Sequence, residues 1–144
     1  GWELWVSDGT ADGTHIVKDI VAGVGASSTP NNLIVMNERL YFAANNGQET
    51  ALFVSDGTAG GTQQIAYFWD DHTVSFSYPV VMNGKLYFVT SNGGGRELWV
   101  SDGLVGGTTA EISNIGLDPN AQDLTVVGSQ IVCAATTDDN DREL

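Results

Sequence analysis

Short runs of apolar residues alternate with polar, glycine-rich segments along the whole chain. The run ELWVS (3–7) is followed by a Gly/Thr turn and then by HIVKDI (15–20). After a loop of Ser, Pro and Asn come LIVM (33–36) and LYFAA (40–44), which are separated by a tight turn. These runs are short and rich in β-branched and aromatic residues, which favours strands over helices. The pattern therefore predicts an all-β chain of short antiparallel strands.

The order of these runs repeats along the chain. The phrase that opens each copy is found as ELWVSDGTADGT (3–14), ALFVSDGTAGGT (51–62) and ELWVSDGLVGGT (97–108), and REL (142–144) begins it again. The second halves of the copies also match one another, at residues 32–44, 78–90 and 124–135. Residues 1–144 are therefore predicted to form a single repeat array, with units of approximately 4–51, 52–97 and 98–143 and the start of a fourth at 144.

Four short strands in a repeat of about 46 residues are typical of one blade of a β-propeller. The tight turn within each unit is clearest at Asn83-Gly84, because both residues tolerate a positive φ, and Asn37-Glu38 and Gly128-Ser129 stand at the same place. We therefore predict a β-propeller-type array of three four-stranded antiparallel blades that form an incomplete ring. A β-sandwich or a β-solenoid is the alternative architecture.

The sequence Ser-Asp-Gly follows the first strand of every unit. An Asp at the start of a turn accepts hydrogen bonds from amides just ahead of it, and a Gly after it adopts a conformation that a Cβ resists. This pattern predicts that six residues fix the turns: Asp8, Gly9, Asp56, Gly57, Asp102 and Gly103. We expect Gly13 to serve the same conformational purpose at the far end of the first turn. Calcium binding is the alternative, but only the first turn has a second carboxylate, that of Asp12.

The repeated phrase resembles the ELW-x-SDGT-x-x-GT repeats of many large bacterial extracellular and surface proteins, which usually occur in tandem. This resemblance covers the whole chain, and it implies a secreted or cell-surface location without a defined activity. The turn also resembles the Asp-box, a Ser-x-Asp-x-Gly hairpin of sialidase-like and other propellers, although Ser7 and Asp8 are adjacent here. The Asp-box is a structural hairpin on the propeller rim, so this second resemblance implies no catalytic residue.

The charge of the chain limits the partners to be expected. Its 144 residues include 18 acidic and 5 basic ones, which gives a formal net charge of −13. Such a charge repels phosphate backbones and anionic lipids, so neither nucleic acid nor membrane insertion is expected. No apolar stretch is long enough for a membrane-spanning helix, and no signal peptide is visible at the N-terminus. The single Cys133 excludes a disulfide within one chain, and we expect a buried, inert thiol there.

Candidate chemistry is sparse. The chain has no nucleophile elbow, phosphate-binding loop or paired-cysteine motif, so we expect no enzymatic activity. One ligand-binding candidate lies in the irregular loop of the second unit, where a Trp among polar residues suits a sugar: Trp69, Asp70, Asp71 and His72. One metal candidate is an oxygen-rich loop that suits calcium: Asp138, Asp139 and Asp141. No other cofactor is expected.

The number of repeats bears on function, because propellers usually have roughly four to eight blades. Three blades leave open edges, which allows three arrangements: part of a longer array, a ring of two chains, or chains added head to tail. Through these open edges we expect a homo-oligomer or polymer. The predicted function is a non-catalytic structural module of a secreted or surface bacterial protein, acting in self-association, adhesion or display, with a fibre as one form. The alternatives are a carbohydrate-binding propeller module, which would depend on calcium in one version, and a fragment of a larger propeller enzyme.

Overall fold

The computed structural model describes residues 1–67, 75–92, 95–107, 109–112, 122–136 and 142–143. Within these residues every regular element is a β-strand. The strands are β1 (Leu4–Val6), β2 (His15–Lys18), β3 (Asn31–Met36), β4 (Arg39–Asn45), β5 (Thr50–Ser55), β6 (Gln63–Tyr67), β7 (Ser75–Met82), β8 (Lys85–Asn92), β9 (Gly95–Ser101), β10 (Thr109–Glu111), β11 (Gln122–Val127), β12 (Gln130–Thr136) and β13 (Arg142–Glu143).

Antiparallel pairing assembles the strands into four sheets. Sheet A consists of β1 and β2, sheet B of β3 to β6, sheet C of β7 to β10, and sheet D of β11 to β13. Within each sheet the strands lie side by side in chain order, so successive strands are neighbours. The prediction of an all-β chain of antiparallel strands is confirmed.

The sheets are offset by half a repeat from the units counted from the phrase. Sheet B joins β3 and β4 of the first unit to β5 and β6 of the second, and sheet C is built in the same way. The expectation that the four strands of one unit form one sheet is therefore wrong. The reason lies in the connections: residues 46–49 join β4 to β5 by a short loop, whereas the long segment 19–30 carries the chain from sheet A to sheet B.

The pairing register is the same in successive sheets. Phe42 of β4 lies opposite Phe53 of β5, and Phe88 of β8 lies opposite Trp99 of β9. Two residues further along these strands, the matching pairs are Ala44–Ala51, Thr90–Glu97 and Ala135–Glu143. Strand β13, which opens the fourth copy of the phrase, thus occupies on β12 the place that β5 occupies on β4.

Repeated backbone features accompany the repeated register. The tight turn after β3 has a positive φ at both central residues, 51° at Asn37 and 61° at Glu38, which is the combination found in type I′ hairpins. A second feature lies near the start of β3, β7 and β11, where the register shifts in each case. One residue there has a positive φ: Asn32, Tyr78 and Asp123. The shift is thus a β-bulge common to the three hairpins.

The chain divides into two compact units, Gly1–Tyr67 and Phe68–Leu144. In the first unit sheet A packs on sheet B. Leu4 and Val17 of sheet A belong to the same core cluster as Phe42 and Phe53 of sheet B, whose rings stack with centroids 5.6 Å apart. The smaller sheet A therefore packs on the aromatic side chains of sheet B.

In the second unit sheet D packs on sheet C. Leu124 of sheet D shares a buried cluster with Val89 and Leu98 of sheet C, and Ile131 and Cys133 pack against this cluster. Each unit is thus a pair of antiparallel sheets whose faces meet through apolar side chains.

Candidate functional site

A chain of hydrogen bonds closes the second Ser-Asp-Gly-Thr turn. The Gly57 amide donates to Ser55 Oγ over 3.0 Å, and Ser55 Oγ lies 2.7 Å from Thr62 Oγ1. The Thr62 hydroxyl donates its single proton to the Thr58 carbonyl oxygen over 2.7 Å. Because a hydroxyl has only one proton to donate, the Ser55 hydroxyl must donate to Thr62. Two side chains at the ends of the turn are therefore tied together.

The Asp56 carboxylate organises the outer part of the same turn. Its Oδ1 accepts hydrogen bonds from the Thr58 amide over 2.9 Å and from the Thr58 hydroxyl over 2.7 Å. The Gly61 amide in turn donates to Thr58 Oγ1 over 3.0 Å. The Thr58 hydroxyl, followed by the Thr58 amide, lowers the pKa of Asp56 below its ordinary value of 3.8, because both donors favour the ionised form. The turn is built around a negatively charged carboxylate.

The two glycines of each turn serve different purposes. Gly9, Gly57 and Gly103 have positive φ angles of 91°, 88° and 74°, which glycine adopts without strain. Gly61 does not, but a Cβ at Gly61 would overlap the Asp56 carboxylate, and the same holds at Gly13 with Asp8. The expectation that Gly13 is needed for its backbone conformation is therefore wrong. It is needed for the space that the carboxylate occupies.

The first turn has the same bonds in a more exposed setting. Asp8 Oδ1 accepts from the Thr10 amide over 2.9 Å and from the Thr10 hydroxyl over 2.7 Å, and Ser7 Oγ lies 2.6 Å from Thr14 Oγ1. The hydrogen bond from the Thr10 hydroxyl, followed by that from the Thr10 amide, also lowers the pKa of Asp8. Ser7 and Thr14 are exposed, whereas their counterparts in the second turn are buried. The hydrogen-bonded turn thus forms both in the core and at the surface.

The third turn departs from this pattern. Leu104 stands where the other turns have Thr, so only its amide bonds to Asp102 Oδ1, over 3.0 Å. Ser101 Oγ lies 2.8 Å from Thr109 Oγ1. In the alignment of the repeats, the counterpart of Thr14 and Thr62 is Thr108, the residue before Thr109, and Thr108 lies outside the described residues. The third turn is therefore one residue longer between the bonded side chains than the first two.

Sheet A differs most from the complete sheets at the outer edge of β1. Among the described residues β1 pairs only with β2, whereas β5 and β9, its counterparts, have a strand on each side. The consequence is clearest at Trp5, which is 60% exposed, while its counterpart Phe53 is 4% exposed. Phe53 is covered because it stacks on Phe42 of β4 and packs with Leu4 and Val17 of sheet A, and the described part of the chain places no strand like β4 beside β1.

The face of β3 next to this edge is also uncovered. Val35 lies opposite Leu40, which packs against sheet A, so both residues are on the face that sheet A covers. Val35 is nevertheless 64% exposed and Leu33 is 53% exposed. In sheet D the counterpart of Leu33 is Leu124, which is only 6% exposed because sheet C covers it. The two-stranded sheet A is thus too narrow to cover sheet B.

Together these residues form one candidate interaction surface, which we call the edge surface: the outer edge of β1 with Trp2, Trp5, Leu33 and Val35. One groove on it is lined by Trp2, Trp5 and Leu33 together with Glu3, and another by Trp5 and Val35 together with the charged residues Glu38, Arg39 and Asp56. The backbone behind it is firmly held, because the Glu3 carboxylate accepts hydrogen bonds from the Ser28 amide and hydroxyl. The edge surface is therefore an exposed apolar patch with charged residues in its grooves, and its backbone is anchored to the core.

The sequence-predicted ligand and metal candidates do not contribute to this surface. Trp69, Asp70, Asp71 and His72 lie outside the described residues, and so do Asp138, Asp139 and Asp141. Among the residues that the structure does describe, no group of three or more His, Cys, Asp or Glu side chains is arranged to hold a metal ion. Nor does that part of the chain contain a helix that could span a membrane.

Comparisons with known proteins identify no relative of this chain. No family model, curated protein or solved structure matches it. The interpretation of the edge surface therefore rests on its own geometry and on comparison among the repeats of the same chain.

Proposed function

We propose that this chain is a non-catalytic structural module that associates with itself. In this proposal its sheets are blades of a β-propeller-type array, and the array belongs to a secreted or surface bacterial protein. Successive antiparallel sheets that pack in pairs through apolar faces support the blade interpretation. The resemblance of the repeated phrase to tandem repeats of extracellular proteins supports the location.

The observation that carries the proposal is the edge surface. An exposed strand edge offers unpaired backbone groups to another chain, and an exposed apolar patch favours a protein partner. Trp2 and Trp5 flank this edge and are both largely exposed. The complete sheets B and C show that the same position elsewhere in the chain is filled by another strand. Association through this edge would bury surface that the chain itself leaves open.

Sedimentation velocity over a wide range of protein concentrations tests this proposal. We expect the mean mass to rise with concentration, to a discrete dimer if two chains close a ring or to an open-ended series if they add head to tail. We also expect association to strengthen as salt is added, because the net charge of −13 makes the chains repel one another at low ionic strength. A monomer at every concentration and salt level would refute the proposal.

A further inference from the structure

We infer that strand β1 of one copy pairs with strand β12 of a second copy. Strands β11 and β12 of the second copy would then extend sheet A of the first copy to four strands. This inference rests on the proposed self-association and specifies its partner and its register. It follows from comparing the incomplete sheets with the complete ones in the same chain.

The complete sheets show which kind of strand belongs beside β1. The counterparts of β1 are β5 and β9, and each lies next to the second strand of a hairpin, β4 in sheet B and β8 in sheet C. The third strand of this kind is β12, which forms a hairpin with β11. The missing neighbour of β1 is therefore a strand with the sequence pattern of β4, β8 and β12.

In the described part of the chain, the edge of strand β12 that β1 would use is largely unpaired. Among the described residues its only partner there is the two-residue strand β13, which covers Ala135 and Thr136. The remaining residues on that edge, 131–134 (IVCA), are uncharged, so the contact itself places no charged side chain of β12 beside β1. Pairing with β1 of another copy would extend over these residues and displace β13.

The repeated register places individual residues opposite one another. Phe42 and Phe88 correspond in sequence to Cys133, and their partners Phe53 and Trp99 correspond to Trp5. Trp5 of one copy therefore lies opposite Cys133 of the second. One position further along, Tyr41–Val54 and Tyr87–Val100 correspond to Val132 and Val6, which must also lie opposite each other.

The same arrangement covers two apolar faces that are open in the single chain. On the β11–β12 hairpin, Ile131 packs against sheet C, so its neighbour Val132 points to the other face, where it is 45% exposed. Leu33 and Val35 are exposed on the face of sheet B beside β1. Placing β11 and β12 next to β1 sets these two faces against each other, as sheet D already packs on sheet C within the second unit.

Disulfide trapping tests the register directly. In the Trp5→Cys variant the new thiol is expected to react with the native Cys133 of a second copy under mild oxidation. A second pair, Val6→Cys with Val132→Cys in a Cys133→Ala background, tests the same register without altering Trp5. Val24→Cys, on a fully exposed loop residue, is the control for random collision. Thiols held in paired strands meet at roughly millimolar effective concentration, so both register pairs should cross-link about a thousandfold faster than the control at roughly 1 µM protein.

Non-reducing electrophoresis and mass spectrometry of the linked peptides distinguish the outcomes. Intermolecular 5–133 and 6–132 disulfides that form faster than the control product support the inference. Concentration-dependent oligomers that give neither disulfide overturn this register while leaving self-association standing. A 5–133 disulfide within one chain overturns the assignment to a second copy. A protein that stays monomeric and does not cross-link overturns both the inference and the proposed function.

Discussion

Replacement of Thr62 by valine tests whether the hydroxyl chain of the second turn stabilises the fold. Thr62 is 0% exposed and Ser55 is 1% exposed, and their hydroxyl oxygens lie 2.7 Å apart. Valine keeps the branched shape of threonine but removes the oxygen, so the Ser55 hydroxyl loses its acceptor inside the protein. Thr14→Val is the matched control, because the same bonds are present in the first turn but are exposed to water.

The expected cost follows from burial. A buried hydroxyl left without a partner costs about 1–3 kcal/mol, whereas an exposed one exchanges its partner for water. Surface substitutions usually change stability by less than about 0.5 kcal/mol. We therefore expect Thr62→Val to lower the free energy of unfolding by about 1–3 kcal/mol and Thr14→Val to lower it by less than about 0.5 kcal/mol. Intrinsic preferences of valine cancel, since both changes are made at the same place in the repeat.

Equilibrium unfolding in urea, followed by circular dichroism, measures the difference. Thr14 and Thr62 both belong to the first compact unit, so one transition reports both variants. The slope of the transition should stay that of the unaltered protein, because neither change alters the surface exposed on unfolding. Equal losses in the two variants would refute the reasoning, since burial is the main difference between the two hydroxyl pairs.

Three further predictions concern the second turn and the edge surface. Gly61→Ala is expected to lower the urea midpoint of unfolding, because the new Cβ would overlap the Asp56 carboxylate. Gly60→Ala is the control, since the space around its Cβ is open, and it should leave the midpoint nearly unchanged. Equal effects of the two variants would contradict this explanation. Hydrogen bonds from Thr58 lower the pKa of Asp56 below 3.8, so its stabilising effect is present above pH 3.8 and is lost as the pH falls below that value. In the Asp56→Asn variant, the stability measured by circular dichroism should therefore fall less as the pH is lowered below 3.8. The same acid unfolding profile as in the unaltered protein would contradict this role of Asp56. Val35→Lys should leave the monomer folded but weaken self-association about tenfold or more by sedimentation, because a buried, unpaired ammonium is costly; unchanged association would exclude this face from the contact.

The local structure was largely predictable from the sequence. Runs of β-branched and aromatic residues became strands, such as LYFAA within β4 (Arg39–Asn45), because such side chains pack well on a pleated surface. The tight turn at Asn83-Gly84 was predictable for a similar reason, since both residues have a positive φ, 52° and 70°. The bulge at Tyr78 was not, because a bulky aromatic residue gives no signal for a positive φ.

The grouping of strands into sheets was not accessible to the sequence argument. A periodic sequence has no natural starting point, so counting from the most regular phrase places the unit boundaries arbitrarily. Which strands share a sheet depends instead on the connections, and the long segment 19–30 proved to be the crossing between sheets.

Of the candidate site, the turn residues were predictable from the sequence and the edge surface was not. Asp8 and Gly9 carry a recognisable turn signal, but the need for Gly13 depends on where the Asp8 side chain lies in space. The edge surface gives no signal of its own, because Trp5 has the same sequence context as the covered aromatic residues of the other copies. Trp5 is exposed because it lies on the other face of β1 from Leu4, which packs on sheet B, and because the described residues place no strand beside β1.

The half-repeat offset of the sheets has a consequence for synthesis on the ribosome. The hairpin of β3 and β4 emerges before β5 and β6, the strands that complete sheet B up to Tyr67. An isolated two-stranded hairpin is at best marginally stable in water. At translation rates of roughly 5–20 residues per second, each such hairpin waits on the order of seconds for the next phrase to arrive. Neighbouring nascent chains on one polysome have that interval in which to exchange hairpins.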